Sequence, residues 1–208
     1  MRRFILCAAT LSISGAILLS GGCAVGKRQP VQISYYLIGP EFAPEAALQD
    51  QPCVVIRPVF AQASFREPQL VYRVTEVKYE TDYYNRFMSS PPSQLTESIS
   101  KWADSLDWTI CPEEDVDMRM EHYVLRPVLE ALYGDFRNKS RPAAHGEMQF
   151  TLSHVIPDCK CSKVRLSKLY TARVPLEESS PTALVKAQGR VIEEILGQLK
   201  ADLSEILQ

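Results

Sequence analysis

Two stretches of the chain repeat their apolar residues at the spacing of an α-helix. The first follows Ser90-Pro91-Pro92 and predicts an amphipathic helix near residues 92–106. The second follows Ser180-Pro181, a hydroxyl cap and a proline, and predicts a C-terminal helix near residues 181–207. The stripes are Leu95, Ile99, Trp102, Ala103 and Leu106, then Val185, Ile192, Leu196, Leu199, Leu203 and Ile206. Such a stripe is typical of a core face, whereas a coiled-coil seam would need more heptads.

Alternation of apolar and polar residues predicts strands around these helices. In residues 69–74, Tyr72 faces the core and Arg73 faces away, and in residues 76–80 we expect Val77 and Tyr79 to point inward. The predicted strands are 35–38, 53–60, 69–74, 76–80, 108–111, 123–133, 146–156 and 166–174. Together the elements predict an α/β (α+β) fold, in which one mixed, largely antiparallel sheet is packed by the two helices.

Two details of the long strand 123–133 follow from the same alternation. Leu129, Ala131 and Tyr133 are expected to share one face, and Gly134-Asp135 is expected to form the turn that follows. We expect residues 35–208 to form a single globular domain.

The N-terminus has the pattern of a secretory signal peptide. Arg2 and Arg3 precede a largely apolar run that ends in small residues before Cys23, which predicts a signal peptide over residues 1–22. This end resembles the lipobox of bacterial lipoproteins, which implies acylation of Cys23, including palmitate, and a tether over residues 23–34. The alternative is ordinary cleavage that leaves a free thiol. Ala24 follows the cysteine where Asp would favour the inner membrane, so the resemblance implies an outer-membrane anchor with the domain facing the periplasm.

Four further cysteines fall in the expected globular domain, namely Cys53, Cys111, Cys159 and Cys161. An even number in an oxidising compartment favours disulfides, and four cysteines allow three connectivities. A bond between Cys159 and Cys161 would close a very small ring, so we favour a pairing of one of them with Cys53 or Cys111. A zinc or redox site with His154 is the weaker alternative, and we expect no metal and no cofactor.

Composition and motifs argue against two classes of function. The formal net charge is −2, and about −4 without Arg2 and Arg3, and no basic block is present, which argues against a nucleic-acid partner. The chain contains no Gly-x-Ser-x-Gly, His-Glu-x-x-His or phosphate-loop motif. His122, His145 and His154 are scattered, and we interpret them as surface or hydrogen-bonded histidines. We therefore expect a protein that is not an enzyme.

An aromatic run over residues 83–87 is the clearest candidate for a binding surface, because exposed aromatic residues with arginine are typical of interfaces. We hypothesise that Tyr72, Arg73, Tyr83 and Arg86 lie at a partner surface. The alternative is that Tyr84 and Phe87 anchor the helix that follows.

The order of these motifs resembles that of the ABC-type transport auxiliary lipoproteins, the PqiC-like family. The matching motifs are Cys23, Tyr35-Tyr36-Leu37, Val54-Val55-Ile56-Arg57-Pro58, Leu70-Val71-Tyr72-Arg73, Tyr83-Tyr84-Asn85-Arg86-Phe87, the helix with Trp102, and Leu132-Tyr133-Gly134-Asp135-Phe136. They span essentially the whole chain after residue 22. The additional cysteines and the hydrophilic residues 112–121 depart from the family pattern.

The resemblance implies a non-catalytic outer-membrane lipoprotein that serves a lipid-transport system and supports envelope integrity. The implied partners are a periplasmic MCE-domain protein and its inner-membrane ABC transporter, and some members of the family form homo-oligomeric rings. The alternative function is a stand-alone periplasmic lipoprotein that binds an apolar ligand or assists outer-membrane assembly.

Overall fold

The structure is a computed structural model that describes residues 30–42, 53–106, 109–112, 120–157 and 161–207. The chain divides into Met1–Val31, of which only Pro30 and Val31 are described, and a compact unit Gln32–Gln208. The predicted signal peptide 1–22, the predicted lipidation site Cys23 and most of the tether lie outside the described residues.

The described residues form nine strands and two α-helices. The strands are β1 (Ser34–Tyr36), β2 (Cys53–Ile56), β3 (Phe60–Ala61), β4 (Gln69–Arg73), β5 (Tyr79–Phe87), β6 (Thr109–Ile110), β7 (His122–Asp135), β8 (Ala143–Ile156) and β9 (Cys161–Pro175). The helices are α1 (Pro91–Asp104), between β5 and β6, and α2 (Pro181–Ile206), at the end.

The 14-residue strand β7 lies at the centre of the single sheet. One edge of β7 pairs with three short parallel strands in succession: β2 opposite residues 123–125, β3 opposite 128–129 and β4 opposite 134–135. Its other edge pairs along its whole length with the antiparallel strand β8, which forms a hairpin with β9. Strands β5 and β1 extend the sheet beyond β4, and β6 extends it beyond β2. The long pairings are antiparallel and most of the short ones are parallel, so the sheet is mixed and largely antiparallel. With the two helices, this confirms the predicted α+β fold.

Both helices pack on one face of this sheet, which we call the helix face. The Oγ of Ser90 accepts the backbone N–H of Ser93 at the start of α1, and the Oγ of Ser180 accepts that of Ala183 at the start of α2. The apolar stripes of both helices are buried in one core, except for half-buried Ile206. The strands contribute to this core chiefly through Leu125, Leu129, Leu132, Met148, Phe150 and Leu152. Both predicted helices are therefore confirmed, and the stripe of α2 is a core face.

A β-bulge in β7 makes one part of the predicted alternation wrong. The pairing of β7 with β8 shifts register between Leu129 and Ala131. Because one extra residue reverses the side-chain alternation, Leu132 joins Leu129 in the main core, while Ala131 and Tyr133 form a separate cluster with Val71. We call the face that carries this cluster the opposite face.

Two other local predictions are wrong because tertiary pairing overrides the local pattern. Residues 76–78 belong to the turn between β4 and β5, closed by the backbone N–H of Val74 and the carbonyl of Lys78 at 3.0 Å, and the Val77 side chain is 90% exposed. Tyr79 starts β5 and is partly exposed. Gly134 and Asp135 do not form a turn, since β7 continues through both residues in pairing with β4 and β8.

A disulfide joins Cys53 to Cys111, with their Cα atoms 5.8 Å apart. Strands β2 and β6 are neighbours, and the backbone N–H of Cys111 donates to the carbonyl of Val54 at 3.1 Å, so the sheet brings the two cysteines together. The favoured pairing of Cys159 or Cys161 with one of them is therefore wrong. Cys161 is also disulfide-bonded, and Cys159 lies outside the described residues.

No helix in the described part of the chain combines the length and the apolar character needed to cross a membrane.

The burial of Trp102 predicts a large effect of its truncation on stability. The side chain is 4% exposed and belongs to the main core, so Trp102→Ala should lower the free energy of unfolding by about 3–5 kcal/mol through lost burial and a cavity. Denaturation in urea measures this change. The neighbouring exposed Lys101→Ala is the control and should cost less than about 0.5 kcal/mol. Similar losses for both variants would contradict a core role for Trp102.

Candidate functional site

A bulge in β5 turns two tyrosines, Tyr83 and Tyr84, out to solvent. The pairing between β4 and β5 shifts register, so that β5 carries extra residues opposite Leu70. Asp82 stabilises this bulge, because its Oδ1 accepts the backbone N–H groups of Tyr84 at 2.8 Å and Asn85 at 3.0 Å. This is an Asx-type arrangement, in which a short side chain satisfies backbone donors that the ladder leaves free.

The carboxylate of Asp82 also connects the bulge to the neighbouring strand. Its Oδ2 accepts hydrogen bonds from the Asn85 side-chain amide and the Tyr72 hydroxyl, both at 2.9 Å. Burial would raise the pKa of Asp82, but these hydrogen bonds and those from the backbone outweigh it and hold the pKa below its usual value. Burial raises the pKa of Tyr72, and its bond to Asp82 adds to that effect. The bulge is therefore held by an ionised carboxylate at neutral pH.

Tyr83 and Arg86 form a pair on the outside of this bulge. The guanidinium carbon of Arg86 lies 4.8 Å from the centre of the Tyr83 ring, and its Nε donates to the Tyr83 carbonyl at 3.0 Å. The Tyr84 ring meets the Tyr83 ring edge-on at 5.3 Å. Tyr83 is 60% and Tyr84 55% exposed, so two aromatic rings present most of their surface to solvent.

The outer strand β1 continues this surface. Tyr35 lies opposite Arg86 in the parallel ladder, and the backbone N–H of Met88 donates to the carbonyl of Tyr36 at 2.7 Å, which places Met88 beside the end of β1. Tyr35, Leu37 and Met88 are all more than half exposed. Within the described part of the chain, β1 pairs only with β5. We call this surface the aromatic edge; it consists of Tyr35, Leu37, Tyr83, Tyr84, Arg86 and Met88.

Arg73 belongs to a different surface, the opposite face of the sheet near the end of β7. Its Nη1 donates to the Tyr133 hydroxyl at 3.3 Å, and its guanidinium lies 5.5 Å from the Tyr79 ring centre and 5.9 Å from that of Tyr133. Its Nη2 donates to Glu76. The hydrogen bond with Tyr133 raises the pKa of Arg73, while burial raises that of Tyr133.

Asp135 anchors a network of ion pairs beside Arg73. Its side chain is 1% exposed and accepts hydrogen bonds from Arg137, at 2.8 and 2.9 Å, and from Arg173. Arg137 also donates to Glu76 at 2.8 Å, which connects the end of β7 to the β4–β5 turn. The bonds from Arg137 hold the pKa of Asp135 well below its usual range, although burial opposes this, and the bonds to Asp135 raise the pKa of Arg137. Asp135 was predicted to lie in a turn, so its burial was not foreseen; the one indication in the sequence is a carboxylate that adjoins an apolar run.

Tyr72 lies on the helix face. Besides its bond to Asp82, its ring meets the Phe136 ring edge-on at 5.4 Å. Adjacent residues of a strand point to opposite faces, so Tyr72 and Arg73 cannot share one surface.

The structure therefore places the four hypothesised partner residues in three environments. Tyr83 and Arg86 touch each other on the aromatic edge, Arg73 lies in the ion-pair network, and Tyr72 lies on the helix face. Arg86 is paired with Gln69 of β4, so Arg73 is four residues, or about 13 Å, farther along that strand.

The three histidines contact neighbouring side chains or backbone. His122 is buried, with Nδ1 2.9 Å from the Met120 carbonyl. His145 packs on the Tyr133 ring at 4.8 Å and pairs with Glu147 at 2.8 Å, and His154 stacks on Tyr123 at 4.5 Å. No group of three or more His, Cys, Asp or Glu residues that could hold a metal ion occurs among the described residues.

Comparison with known proteins shows similarity of fold. No family model and no curated protein matches this chain. The crystal structure of protein XCC0632 from Xanthomonas campestris, of family DUF330, superposes with a TM-score of 0.63 at 14% identity, covering 80% of this chain and 92% of that one. The crystal structure of an uncharacterized protein superposes with a TM-score of 0.60 at 12% identity, covering 82% of this chain and 98% of that one.

The depressed pKa of Asp135 predicts a pH-dependent contribution to stability. A carboxylate whose folded pKa lies below its unfolded value, about 3.9, contributes stability above that pH, and the contribution is lost as pH falls toward the folded pKa. Asp135→Asn should therefore lower the free energy of unfolding by about 2–3 kcal/mol at pH 7 because it breaks a buried ion pair, and by about 1 kcal/mol less at pH 3, since the folded pKa lies well below that pH.

Denaturation in urea between pH 7 and pH 3 measures this difference. Asp104→Asn, which changes an exposed carboxylate at the end of α1, is the matched control and should change stability by less than about 0.5 kcal/mol. A deficit of Asp135→Asn that stayed constant across this pH range would show that the ion pairs are not its source.

Proposed function

We propose that this protein is a non-catalytic auxiliary lipoprotein of an MCE/ABC-type transport system. It is anchored in the outer membrane through acylated Cys23 and faces the periplasm, where it binds the MCE-domain protein. In this role it supports lipid transport between the membranes and envelope integrity. The observation that carries the proposal is the aromatic edge, an exposed apolar surface with fixed geometry on a fold of this kind.

The fold comparison supports the family resemblance. The Xanthomonas campestris structure belongs to DUF330, the family that includes the PqiC-like proteins, and its fold extends over 80% of this chain. Apart from Cys23, the motifs that carry the resemblance lie in or directly after β1, β2, β4, β5, α1 and β7 of this chain.

The aromatic edge has the chemistry of a protein-binding surface. Tyrosine and arginine are enriched among residues that dominate binding energy, because they bury a large area and keep a polar group for hydrogen bonding. Asp82 holds the bulge that carries Tyr83 and Tyr84, and Arg86 packs on Tyr83, so little side-chain entropy remains to be lost when a partner binds.

Of the four hypothesised partner residues, we assign direct contact to Tyr83 and Arg86. Arg73 is engaged with Tyr133 and Glu76, and Tyr72 with Asp82, so both position the strands that carry the surface. The outer edge of β1 lies beside the aromatic edge and offers backbone groups to which an extended partner segment could add as a strand.

The proposed anchor lies close to this surface along the chain. Ten residues lie between Cys23 and Ser34 at the start of β1, a segment that reaches at most about 40 Å when fully extended. A lipid on Cys23 would therefore keep the start of β1, which borders the aromatic edge, within about 40 Å of the membrane that holds the anchor.

Replacement of the exposed pair tests the partner surface. Tagged protein is recovered from detergent-solubilised membranes after mild cross-linking, and the captured proteins are identified. We expect wild type to recover an MCE-domain protein with its ABC transporter, and Tyr83→Ala with Arg86→Ala to recover at least about tenfold less, because loss of two central contacts costs more than 1.4 kcal/mol.

The matched control is Val164→Ala with Leu169→Ala, two exposed apolar residues of β9 away from the aromatic edge. This control should recover the partner as wild type does, and both double variants should unfold at the wild-type urea concentration. Undiminished recovery by the Tyr83 and Arg86 variant would refute the assigned surface, and recovery of only an outer-membrane barrel or a lipid would refute the transport role.

Substitution of the lipidation site tests the anchor separately. Cys23→Ser removes the only thiol that the lipobox pattern offers for acylation, so incorporation of labelled palmitate should be lost and the protein should leave the outer-membrane fraction. Radiolabelling and membrane fractionation measure both effects. Cys7→Ser, in the predicted signal peptide, is the control and should keep the label, whereas persistent labelling of Cys23→Ser would contradict lipidation at this residue.

A further inference from the structure

A cleft on the helix face lies between the β4–β5 hairpin, the loop after β7 and the start of α2. Its volume is about 430 Å³, within the range of small-molecule sites. The walls are mainly apolar and are formed by Tyr72, Val74, Phe136 and Pro181, and the rim is formed by Glu80, Lys139, Ser179 and Ser180. The aromatic edge shares none of these residues.

The floor of the cleft depends on Gly134. In the parallel ladder Gly134 lies opposite Tyr72, whose ring meets the Phe136 ring edge-on. A Cβ at Gly134 would come within 2.7 Å of Phe136 Cε2 and 3.1 Å of Leu184 Cδ2. The absent side chain at this position therefore lets the Phe136 ring lie against the sheet and leaves the cleft open.

Lys139 is the one basic residue that lines the described cleft. Lys139 is exposed and makes no ion pair with any residue in the described part of the chain. Two carboxylates lie at or beside the rim: Glu80 pairs with Lys78 at 2.6 Å, and Glu178 accepts a hydrogen bond from the Ser180 hydroxyl at 2.7 Å. The start of α2 offers few free backbone donors, since Ser180 caps Ala183 and Pro181 has no N–H. Lys139 is thus the group available to an anionic head.

We propose that this cleft binds a single-chain amphiphile with an anionic head. The apolar walls bury the chain of the ligand, and the Lys139 ammonium pairs with the head at the rim. The assignment is independent of the partner proposed for the aromatic edge, because the two surfaces have no residue in common.

A neighbouring cleft supplies a matched control. Arg141 belongs to the same loop as Lys139 but lines a separate cavity of about 420 Å³ with Asn138, Ser140 and Arg173. Its side chain makes no ion pair within the described residues. Arg141→Gln therefore removes the same charge from the same loop without changing the proposed site.

The test is calorimetric titration of octyl phosphate, below its micellar concentration, into the processed chain with Cys23→Ser. This chain keeps the entire compact unit Gln32–Gln208. Inorganic phosphate provides the anionic head without an alkyl chain. Octyltrimethylammonium provides the same octyl group with a positively charged head. We expect octyl phosphate to bind at least about tenfold tighter than either, since it alone uses both the apolar walls and Lys139.

Two variants locate the site. Lys139→Gln should weaken octyl phosphate binding about threefold to fivefold, as expected for one exposed ion pair, while Arg141→Gln leaves it unchanged. Gly134→Ala should weaken binding more strongly by moving the Phe136 ring into the cleft, and its melting temperature reports whether the fold is retained.

Equal affinity for octyl phosphate and octyltrimethylammonium would overturn the anionic preference. Equal losses for Lys139→Gln and Arg141→Gln would show general attraction to a basic loop and would overturn the assigned cleft. Neither result bears on the capture of an MCE-domain protein, so failure here is distinguishable from failure of the proposed function.

Discussion

The structure depends on the pairing of both edges of β7. A buried strand of this length must have its backbone N–H and C=O groups satisfied, because each unpaired buried group costs free energy comparable to a lost hydrogen bond. Strand β8 satisfies one edge continuously, and β2, β3 and β4 divide the other edge among them. Helices α1 and α2 cover most of the helix face. The cleft therefore lies at its border, beside the loop that follows β7, and the aromatic edge lies on β5 and β1.

Sequence reasoning predicted the elements whose stability is local and missed the features that arise from tertiary pairing. Helices α1 and α2 have caps and apolar stripes within their own residues, and β8 alternates regularly over most of its length, so all three were predicted. The bulge between Leu129 and Ala131 depends on how β8 pairs with β7, which no local pattern records. The pairing of Cys53 with Cys111 likewise follows from the proximity of β2 and β6, two elements far apart in sequence.

The candidate site was predicted in part for the same reason. Tyr83 and Arg86 are three residues apart in one short run, and the structure brings them into contact. Tyr72 and Arg73 are consecutive in a strand, so the alternation already recognised in the sequence separates them to opposite faces. The role of Gly134 in opening the cleft could not be predicted, because the ring that fills its space belongs to Phe136 and that ring packs on Tyr72, a residue of a strand far away in sequence.

The central position of β7 has a consequence for the order in which the chain acquires structure. Strands β2, β3, β4 and β5 precede β7 in the chain and emerge before it, yet three of them pair with β7. Until residues 122–135 emerge, the short strands expose open edges that invite pairing with other chains. The segment from β7 through β9, by contrast, pairs with its immediate sequence neighbours and forms contacts at low loop-closure cost. We therefore expect folding to proceed from the C-terminal half toward the N-terminus, against the order in which the chain emerges. Until β7 is available, the N-terminal half must stay unfolded to avoid pairing with other chains.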